Sequence, residues 1–474
     1  MLDSRRYLSK IINKSFKITL TNSLSKFIIS LLLGYFIAFV PDYSSLSIQA
    51  SYMLFILVFC ASLWMTEAIP AFAVSFLIIA LEIVFLGYEN FDFSSGSKEW
   101  KYFLNPWSNP LVFLFLAGFI MAIAASKTKL DLWLAKKVLF YFGNKPHNVL
   151  SGLMLITFIL SMFISNTATT AMMMTMLIPI LKHMKDDNKF QKAILLGIVV
   201  AANIGGMGTI IGTPPNAIAV GILGDAAPSF ISWMIIAIPP AVCLVLVLRF
   251  IIIKMYPSNE EFIDVKTVKH VSHYDDSTTK FTTVPTLPSW KKFVVILGFF
   301  ITITLWLSGP FHHIPTPVVS LFPIVLFTIF GIIDTEDIKE IRWDVIILII
   351  GGLSLGLGVT KTGLDIYLGT LFDFNGLHLF MIFAIFASIV VTVSNFMSNT
   401  AATNIMLPIV IAIAVTISQE ASQMVVVGVA LSASFAMSLA VSTPPNAIIY
   451  SSKKVDSKDF LILGLIAGIL GPVV

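Results

Sequence analysis

Runs of about twenty apolar residues recur along this chain and restrict its fold more than any other feature. Of its 474 residues 57% are hydrophobic and 12% are charged, whereas about a quarter of a soluble protein is charged. Within a bilayer the backbone polar groups must bond to one another, so such runs form helices. The short alternating segments of a membrane β-barrel are absent from the sequence. We therefore predict an all-α polytopic membrane protein.

The apolar runs predict about eleven transmembrane helices, and two further apolar segments end in clusters of small polar residues. The predicted spans lie near 24–40, 48–65, 68–87, 111–126, 193–222, 230–255, 291–309, 316–333, 344–359, 424–452 and 458–474. The polar stretch 257–290 reads as a cytoplasmic linker between two halves. The chain is thus divided into a cytoplasmic N-terminal segment (1–23), a first half (24–256), the linker (257–290) and a second half (291–474).

The two halves contain three matched pairs of sequences in the same order. "SKTKLDLWLA" at 126–135 resembles "TKTGLDIYLG" at 360–369. "FISNTATTAM" at 163–172 resembles "FMSNTAATNI" at 396–405. "GTPPNAIAV" at 212–220 resembles "STPPNAIIY" at 442–450. Three pairs at nearly constant spacing indicate an internal duplication.

The distribution of basic residues indicates that the two repeats are inverted. Four lysines lie between the first SNT and the first TPPN, whereas residues 362–452 contain no Lys or Arg; the four are Lys182, Lys185, Lys189 and Lys192. Short cytoplasmic loops collect basic residues. We therefore expect a cytoplasmic N-terminus and, with an odd number of spans, an extracytoplasmic C-terminus. Inverted repeats are typical of secondary transporters, which bind substrate near the midplane.

The SNT segments, 165–167 and 398–400, predict the tips of two re-entrant hairpins. Each interrupts an apolar segment long enough to reach the middle of the bilayer. Ser, Asn and Thr are good N-cap residues, because their side chains accept hydrogen bonds from the first backbone N–H groups of a helix. The N-terminus of the second hairpin arm would then present N–H donors and a partial positive charge to a carboxylate.

The TPPN segments, 213–216 and 443–446, predict breaks in two spans. Proline has no N–H and its ring clashes with the preceding turn, so an α-helix cannot continue through two prolines. Such a break exposes carbonyls before it, which suit a hard cation such as Na⁺, and donors after it, which suit an anion. Neither the SNT nor the TPPN segments contain a charged side chain. We expect dipoles, hydroxyl groups and co-bound cations to hold the anion.

Small polar clusters in membrane helices also serve close packing, which is the alternative interpretation of these segments. Two acids lie at or near apolar runs: Glu67, for which an intramembrane role is one interpretation, and Glu82, which lies near a span end and which we expect at the membrane interface. Zinc-ligand spacing, a nucleophile elbow and a phosphate-binding loop are absent from the sequence. We therefore expect neither an enzyme, nor a cofactor, nor a nucleic-acid partner. A channel or a structural membrane protein is a further alternative.

With the paired SNT and TPP motifs, nearly the whole chain resembles the divalent anion–sodium symporter family, whose members carry dicarboxylates, citrate or sulfate. The resemblance implies a homodimer in the plasma membrane, with a scaffold domain and a transport domain that carries both hairpins. It also implies elevator-type alternating access, in which the transport domain slides against the scaffold. A small dicarboxylate is the implied substrate and Na⁺ the implied coupling ion.

The resemblance also implies the binding residues. The substrate would contact ten positions: Ser165, Asn166, Thr167, Ser398, Asn399, Thr400, Thr213, Pro214, Thr443 and Pro444. A first cation site would use Ser161, Ser165, Asn166 and the backbone at Gly212. A second cation site would use Ser394, Met397, Asn399 and Ser442.

The second cation site departs from the pattern of sodium-coupled relatives. Those relatives carry Thr and Ala where this chain has Ser394 and Met397, and an acid where it has Asn395. Three functions on one fold therefore stay open: sodium-coupled transport of C4-dicarboxylates such as succinate, fumarate or malate, sodium-independent exchange of dicarboxylates, and transport of citrate or sulfate. Sodium-coupled C4-dicarboxylate transport is the prediction.

Overall fold

The computed structural model describes residues 22–41, 43, 45–88, 99–184, 189–265, 267, 287–371, 378–415 and 417–474. The N-terminal segment, most of the 257–290 linker and Lys185 lie outside these residues. Helix makes up 81% of the structure, and the described residues form no strand. The α-helices of the first half are α1 Ser23–Phe39, α2 Ile48–Thr66, α3 Ala71–Leu86, α4 Leu111–Lys127, α5 Leu130–Phe142, α6 Pro146–Ser161, α7 Asn166–His183, α8 Lys189–Gly205, α9 Pro214–Leu223 and α10 Phe230–Met255.

The second half begins with different helices and then repeats the order of α4 to α9. Its helices are α11 Ser289–Leu307, α12 Gly309–His312, α13 Thr316–Val319, α14 Leu321–Ile329, α15 Thr335–Lys339, α16 Trp343–Thr362, α17 Leu364–Leu371, α18 Leu379–Ser394, α19 Asn399–Val415, α20 Gln419–Ser432, α21 Pro444–Ser451 and α22 Ser457–Leu470. Short 3₁₀ segments include Glu99–Ser108 before α4, Gly206–Gly208 after α8 and Ala433–Phe435 after α20. Helices α4 to α9 thus correspond in order to α16 to α21.

Each predicted span coincides with one helix or with two consecutive helices. In the described residues six helices are long and apolar enough to cross a bilayer, and several more apolar helices are shorter. Some predicted spans consist of two consecutive helices, as α8 with α9 and α20 with α21. The number of spans, about eleven, stays a prediction.

The two hairpins are α6 with α7 and α18 with α19. Helix α6 ends at Ser161, and α7 begins after Ser165, whose side chain accepts a hydrogen bond from Ala168 N at 3.2 Å. In the second hairpin Ser398 accepts from Ala401 N at the same distance. Each cap satisfies an N–H group that a helix N-terminus leaves without an intrahelical partner. The polar SNT segments therefore end one arm and begin the next.

The TPPN segments begin α9 and α21, each with the two prolines in the first turn. Pro is well placed there because the first N–H groups of a helix have no intrahelical acceptor. The two halves then pack crosswise: α9 lies against α19 and α20, and α21 lies against α7 and α8. The broken helix of each half thus supports the hairpin of the other half.

Lysines near the ends of several helices bind side chains of other helices. Lys127 at the end of α4 binds Asp337 at 2.6 Å, and Lys192 near the start of α8 binds Asp459 of α22 at 2.9 Å. Lys292 at the start of α11 lies 4.6 Å from the ring centroid of Trp133 on α5. The capping side chains of α15 and α22 are therefore also the lysine-binding groups.

The two acids noted in the sequence have different environments. Glu82 is fully buried between α3 and α16, where its carboxyl group is hydrogen-bonded to the Ser354 hydroxyl group. The expectation that it faces the membrane interface is therefore wrong, because α16 covers this side of α3. Glu67 is exposed in the turn after α2, with a left-handed backbone (φ 50°). Since Glu67 is exposed, no buried group in the described residues fixes the position of its carboxyl group.

Candidate functional site

The first SNT segment forms a compact polar cluster with the break between α8 and α9. The Ser161 hydroxyl group lies 2.6 Å from Asn166 Oδ1 and 2.6 Å from the Ala202 carbonyl oxygen. Asn166 in turn lies on Gly206, where a Cβ atom would be 2.5 Å from its Oδ1 atom. The absence of a side chain at Gly206 is what allows the amide to lie against this backbone.

Gly212 closes the same cluster from the other side. A Cβ atom on Gly212 would lie 2.3 Å from the Gly206 carbonyl oxygen and 3.0 Å from that of Met162. The Thr209 hydroxyl group donates to the Met162 carbonyl and accepts from Gly212 N. The structure thus brings together three predicted members of the first cation site, namely Ser161, Asn166 and, through the backbone at Gly206, Gly212.

The corresponding cluster in the second half leaves two oxygens without a hydrogen bond. Ser394 is fully buried, and within the described residues neither its Oγ atom nor the buried Oδ1 atom of Asn399 has a hydrogen-bond partner. A buried polar oxygen without a partner costs about 1–3 kcal/mol. A bound cation would provide the missing partner. Hard cations prefer oxygen ligands, so these two oxygens fit such a cation.

Asn395 stabilises the turn that precedes the second SNT segment. Its Nδ2 donates to the Val391 carbonyl at 2.9 Å, and its Oδ1 accepts from Ser438 N at 2.8 Å. An amide can make both bonds, whereas a carboxylate could only accept. Asn395 therefore connects the second hairpin, through hydrogen bonds, to the segment that leads to Ser442.

An asparagine in each TPPN segment binds the unwound backbone before the break. Asn216 Nδ2 donates to the carbonyls of Gly206 and Thr209 at 3.1 and 2.7 Å. Asn446 Nδ2 donates to the carbonyls of Met437 and of Leu439, the counterpart of Thr209, at 2.9 and 2.8 Å. The expectation that the break exposes carbonyls is therefore wrong for these four, because in each half the asparagine supplies their donor.

The N–H groups after the breaks also differ from the expectation. The two prolines have none, and the next amide, Asn446 N, donates to Thr443 Oγ1 at 3.2 Å in the second half. In the first half Asn216 N donates to the Thr213 carbonyl at 3.2 Å. The backbone N–H groups available to an anion are therefore those of the SNT segments, at the start of α7 and α19.

The predicted substrate residues differ in their exposure. Ser398 and Pro444 are exposed; Ser165, Asn166, Thr167, Pro214, Asn399 and Thr400 are half-buried; Thr213 and Thr443 are buried. Among the second cation site, Met397 is buried and Ser442 donates to the Leu439 carbonyl at 2.8 Å. The two SNT segments are thus accessible to a ligand, whereas the two threonines are largely buried.

Sequence reasoning missed four residues that build this region. Asn203 donates to Asn446, and the buried Trp233 donates through Nε1 to the Met207 carbonyl at 3.0 Å. Asn216 and Asn446 occur at the same place in both TPPN segments, a signal that was visible in the repeat. Nothing in the sequence marks Asn203 or Trp233, because the residues they contact are distant along the chain.

Comparison with known protein families gives a match over almost the entire chain. The family model described as the sodium:sulfate symporter transmembrane region matches residues 21–474. The sodium-dependent dicarboxylate transporter SdcS of Staphylococcus saprophyticus is 31% identical, over 94% of this chain and 88% of that protein. SdcS of Staphylococcus aureus is 31% identical, over 89% of this chain and 84% of the relative.

Solved structures show a similar fold at low sequence identity. The YdaH transporter of Alcanivorax borkumensis superposes with a TM-score of 0.52 at 11% identity, over 89% of this chain and 96% of the other. MtrF of Neisseria gonorrhoeae gives a TM-score of 0.52 at 11% identity, over 87% and 95%. Together with the apolar helices and the full-length family match, these comparisons show that the chain is a multi-pass membrane transporter and belongs to the sodium:sulfate symporter family.

Proposed function

We propose that this protein carries C4-dicarboxylates such as succinate, fumarate or malate across the plasma membrane in symport with sodium. The observation that carries the proposal is the pair of capped helix N-termini, α7 and α19, each preceded by a half-buried or exposed SNT segment. The relatives that are 31% identical over most of the chain are dicarboxylate transporters, which supports the same substrate class.

A dicarboxylate fits two such N-termini better than a monoanion does. Each SNT segment offers a hydroxyl group, an amide and the N–H groups of the first helical turn, and each helix adds a partial positive charge. One carboxylate at each N-terminus would use the duplicated site symmetrically. The region has no charged side chain among the predicted residues, so bound cations would offset the charge of the substrate.

The sodium ions are cargo in this proposal, and the two predicted sites differ in how ready they are to bind one. In the first, Ser161 and Asn166 are bonded to each other, so a cation would reorganise an existing contact. In the second, Ser394 Oγ and Asn399 Oδ1 are buried without a partner in the described part of the chain. These two oxygens support retention of the second site despite the exchange of Ala for Met397.

The proposal includes the remaining expectations from the family. The two hairpins would belong to a transport domain that slides against a dimeric scaffold domain. The lysines between the first SNT and the first TPPN segment, which include Lys182 and Lys192, would lie on the cytoplasmic side. This orientation puts the N-terminus inside and the C-terminus outside.

Sodium-independent exchange of dicarboxylates is the second candidate, and Asn395 favours it. Sodium-coupled relatives carry an acid there, whereas here a neutral amide bonds Val391 and Ser438. A missing negative charge weakens attraction for a cation in a low-dielectric site.

Uptake by liposomes distinguishes the two functions. Purified protein is reconstituted, and radiolabelled succinate uptake is followed with and without an inward sodium gradient and with and without internal succinate. Symport predicts sodium-driven accumulation in empty liposomes. Uptake that needs internal succinate and ignores sodium would establish exchange, and absence of uptake under all conditions would reject the proposed substrate. Asn166→Ala and Asn399→Ala should each abolish uptake while the protein remains folded in detergent.

A further inference from the structure

The two TPPN segments, although identical in sequence, have different hydrogen-bond networks. In the second half, Asn446 Oδ1 accepts two bonds, from Asn203 Nδ2 at 3.0 Å and from the Thr443 hydroxyl group at 2.8 Å. In the first half the equivalent oxygen, Asn216 Oδ1, is buried and has no partner in the described residues. Thr213 likewise makes no side-chain cap at the start of α9.

Asn203 provides one of the two bonds that distinguish Asn446 Oδ1 from Asn216 Oδ1. Asn203 lies near the end of α8 and is 2% exposed. The position that corresponds to it in the second half, counted back from TPPN, is Ala433, which has no amide to reach Asn216. Asn203 of the first half therefore donates to Asn446 of the second half, whereas in the described residues no side chain of the second half donates to Asn216 Oδ1.

We propose that Asn203 is a positioning residue of the substrate site: it orients Asn446 and, through Asn446, the hydroxyl group of Thr443. This inference rests on the proposed function, in which Thr443 lies at the substrate. The Thr443 hydroxyl group donates its one proton to Asn446 and accepts from Asn446 N, so it offers the substrate a lone pair and not a donor. In the described residues the Thr213 hydroxyl group makes no equivalent bond to Asn216 Oδ1, so its proton can be donated to a carboxylate.

The asymmetry has a consequence for the substrate. A carboxylate is acceptor-only, whereas a hydroxyl or protonated acid can donate. The Thr213 side of the site therefore favours a carboxylate, and the Thr443 side also accepts a group that carries a proton. Without Asn203, the side chains of Asn446 and Thr443 would no longer be held in this orientation. No group that touches the substrate would be removed, so substrate binding would change only through the Thr443 hydroxyl group.

A double-mutant cycle tests the proposal in the reconstituted full-length protein. Asn203→Ala is expected to raise the KM for succinate about fivefold to tenfold, the equivalent of one lost hydrogen bond, with a smaller change in maximal rate. In a Thr443→Val background the same substitution should change the KM less than about twofold, since there is no hydroxyl group left to orient. The matched control is Thr213→Val, in which Asn203→Ala should keep its full effect.

The outcomes separate this proposal from the proposed function. A full effect of Asn203→Ala in the Thr443→Val background, or a lower maximal rate at unchanged KM, would overturn the positioning role. Wild-type protein that carries no succinate would reject the substrate instead; the cycle is then measured as denaturation of ligand-free protein, where coupling of Asn203 to Thr443 and not to Thr213 is expected. Asn203→Leu, which has a similar side-chain length and no donor, replaces Asn203→Ala if that variant does not fold.

Discussion

Ser394 provides the sharpest test of the second cation site, because its removal has opposite effects with and without a cation. Its hydroxyl group is fully buried and unpartnered within the described residues. Burial without a hydrogen bond costs about 1–3 kcal/mol, and Ser394→Ala removes that cost. In sodium-free buffer we therefore expect the variant to be more stable than the wild type by about 1 kcal/mol, after the small loss of packing.

Sodium should reverse the order of the two proteins. A cation at ten times its Kd stabilises the folded protein by about 1.4 kcal/mol for each site. The wild type would gain this at both sites, and Ser394→Ala would gain it at the first site alone. The melting temperature in detergent, measured over a sodium titration with choline as the replacement cation, reports both effects; a chain of this length shifts by about 1 °C for each kcal/mol.

Ser161→Ala is the matched control. The Ser161 hydroxyl group lies 2.6 Å from Asn166 Oδ1 and from the Ala202 carbonyl, so its removal breaks existing hydrogen bonds. We expect this variant to be less stable than the wild type at every sodium concentration. An equal sodium-induced shift in the wild type and in Ser394→Ala would refute the assignment of a cation to Ser394, whatever the transport assay shows.

Three further predictions follow from single contacts. Asn446→Ala leaves two buried backbone carbonyls without their donor, so it should lower the free energy of unfolding by about 2–5 kcal/mol; an unchanged denaturation midpoint would contradict this. Gly206→Ala would place a Cβ atom 2.5 Å from Asn166 Oδ1 and should reduce succinate uptake at least about tenfold at equal expression, whereas Gly309→Ala, whose Cβ meets nothing within 4 Å, should be neutral. Burial raises the pKa of Asp131 on α5 to about 6 from an ordinary 3.8. The folded state thus loses stability as the pH rises from about 4 to about 6, so Asp131→Asn should melt above the wild type at pH 7.5 by the equivalent of about 1–3 kcal/mol and lose this advantage near pH 4. The melting temperatures of both proteins at pH 7.5 and near pH 4 measure this difference. A difference that does not change with pH would refute burial of the Asp131 carboxyl group as its cause.

The positions of helices and turns could be predicted because they depend on neighbouring residues. A run of about twenty apolar residues forms a helix in lipid whatever its partners are. Ser165 caps α7 through an N–H three residues away. The expectation that an α-helix cannot continue through two prolines is correct at the TPPN segments but wrong for α10, which contains Pro239 and Pro240. The duplicated order of α4–α9 and α16–α21 was likewise visible as three repeated motifs.

Burial and distant contacts could not be predicted in this way. Glu82 lies near the end of an apolar run, and only the packing of α16 on α3 shows that it is buried beside Ser354. The carbonyls before Pro214 and Pro444 were expected to be free, whereas an asparagine binds them in both halves. Local sequence specifies which backbone groups lose their helical partner, but the fold specifies what replaces it.

The sequence by itself determined that this chain is a helical membrane protein with a duplicated plan and two polar turns in each half. These properties follow from hydrophobicity, proline geometry and capping, which act over a few residues. The tertiary structure alone decided that the halves pack crosswise and that Asn203 donates to Asn446 of the other half. It also decided that Ser161 is paired while Ser394 is not. Two repeats with the same motifs become unequal because a hydrogen bond needs two partners in space, and one repeat supplies the asparagine that the other lacks.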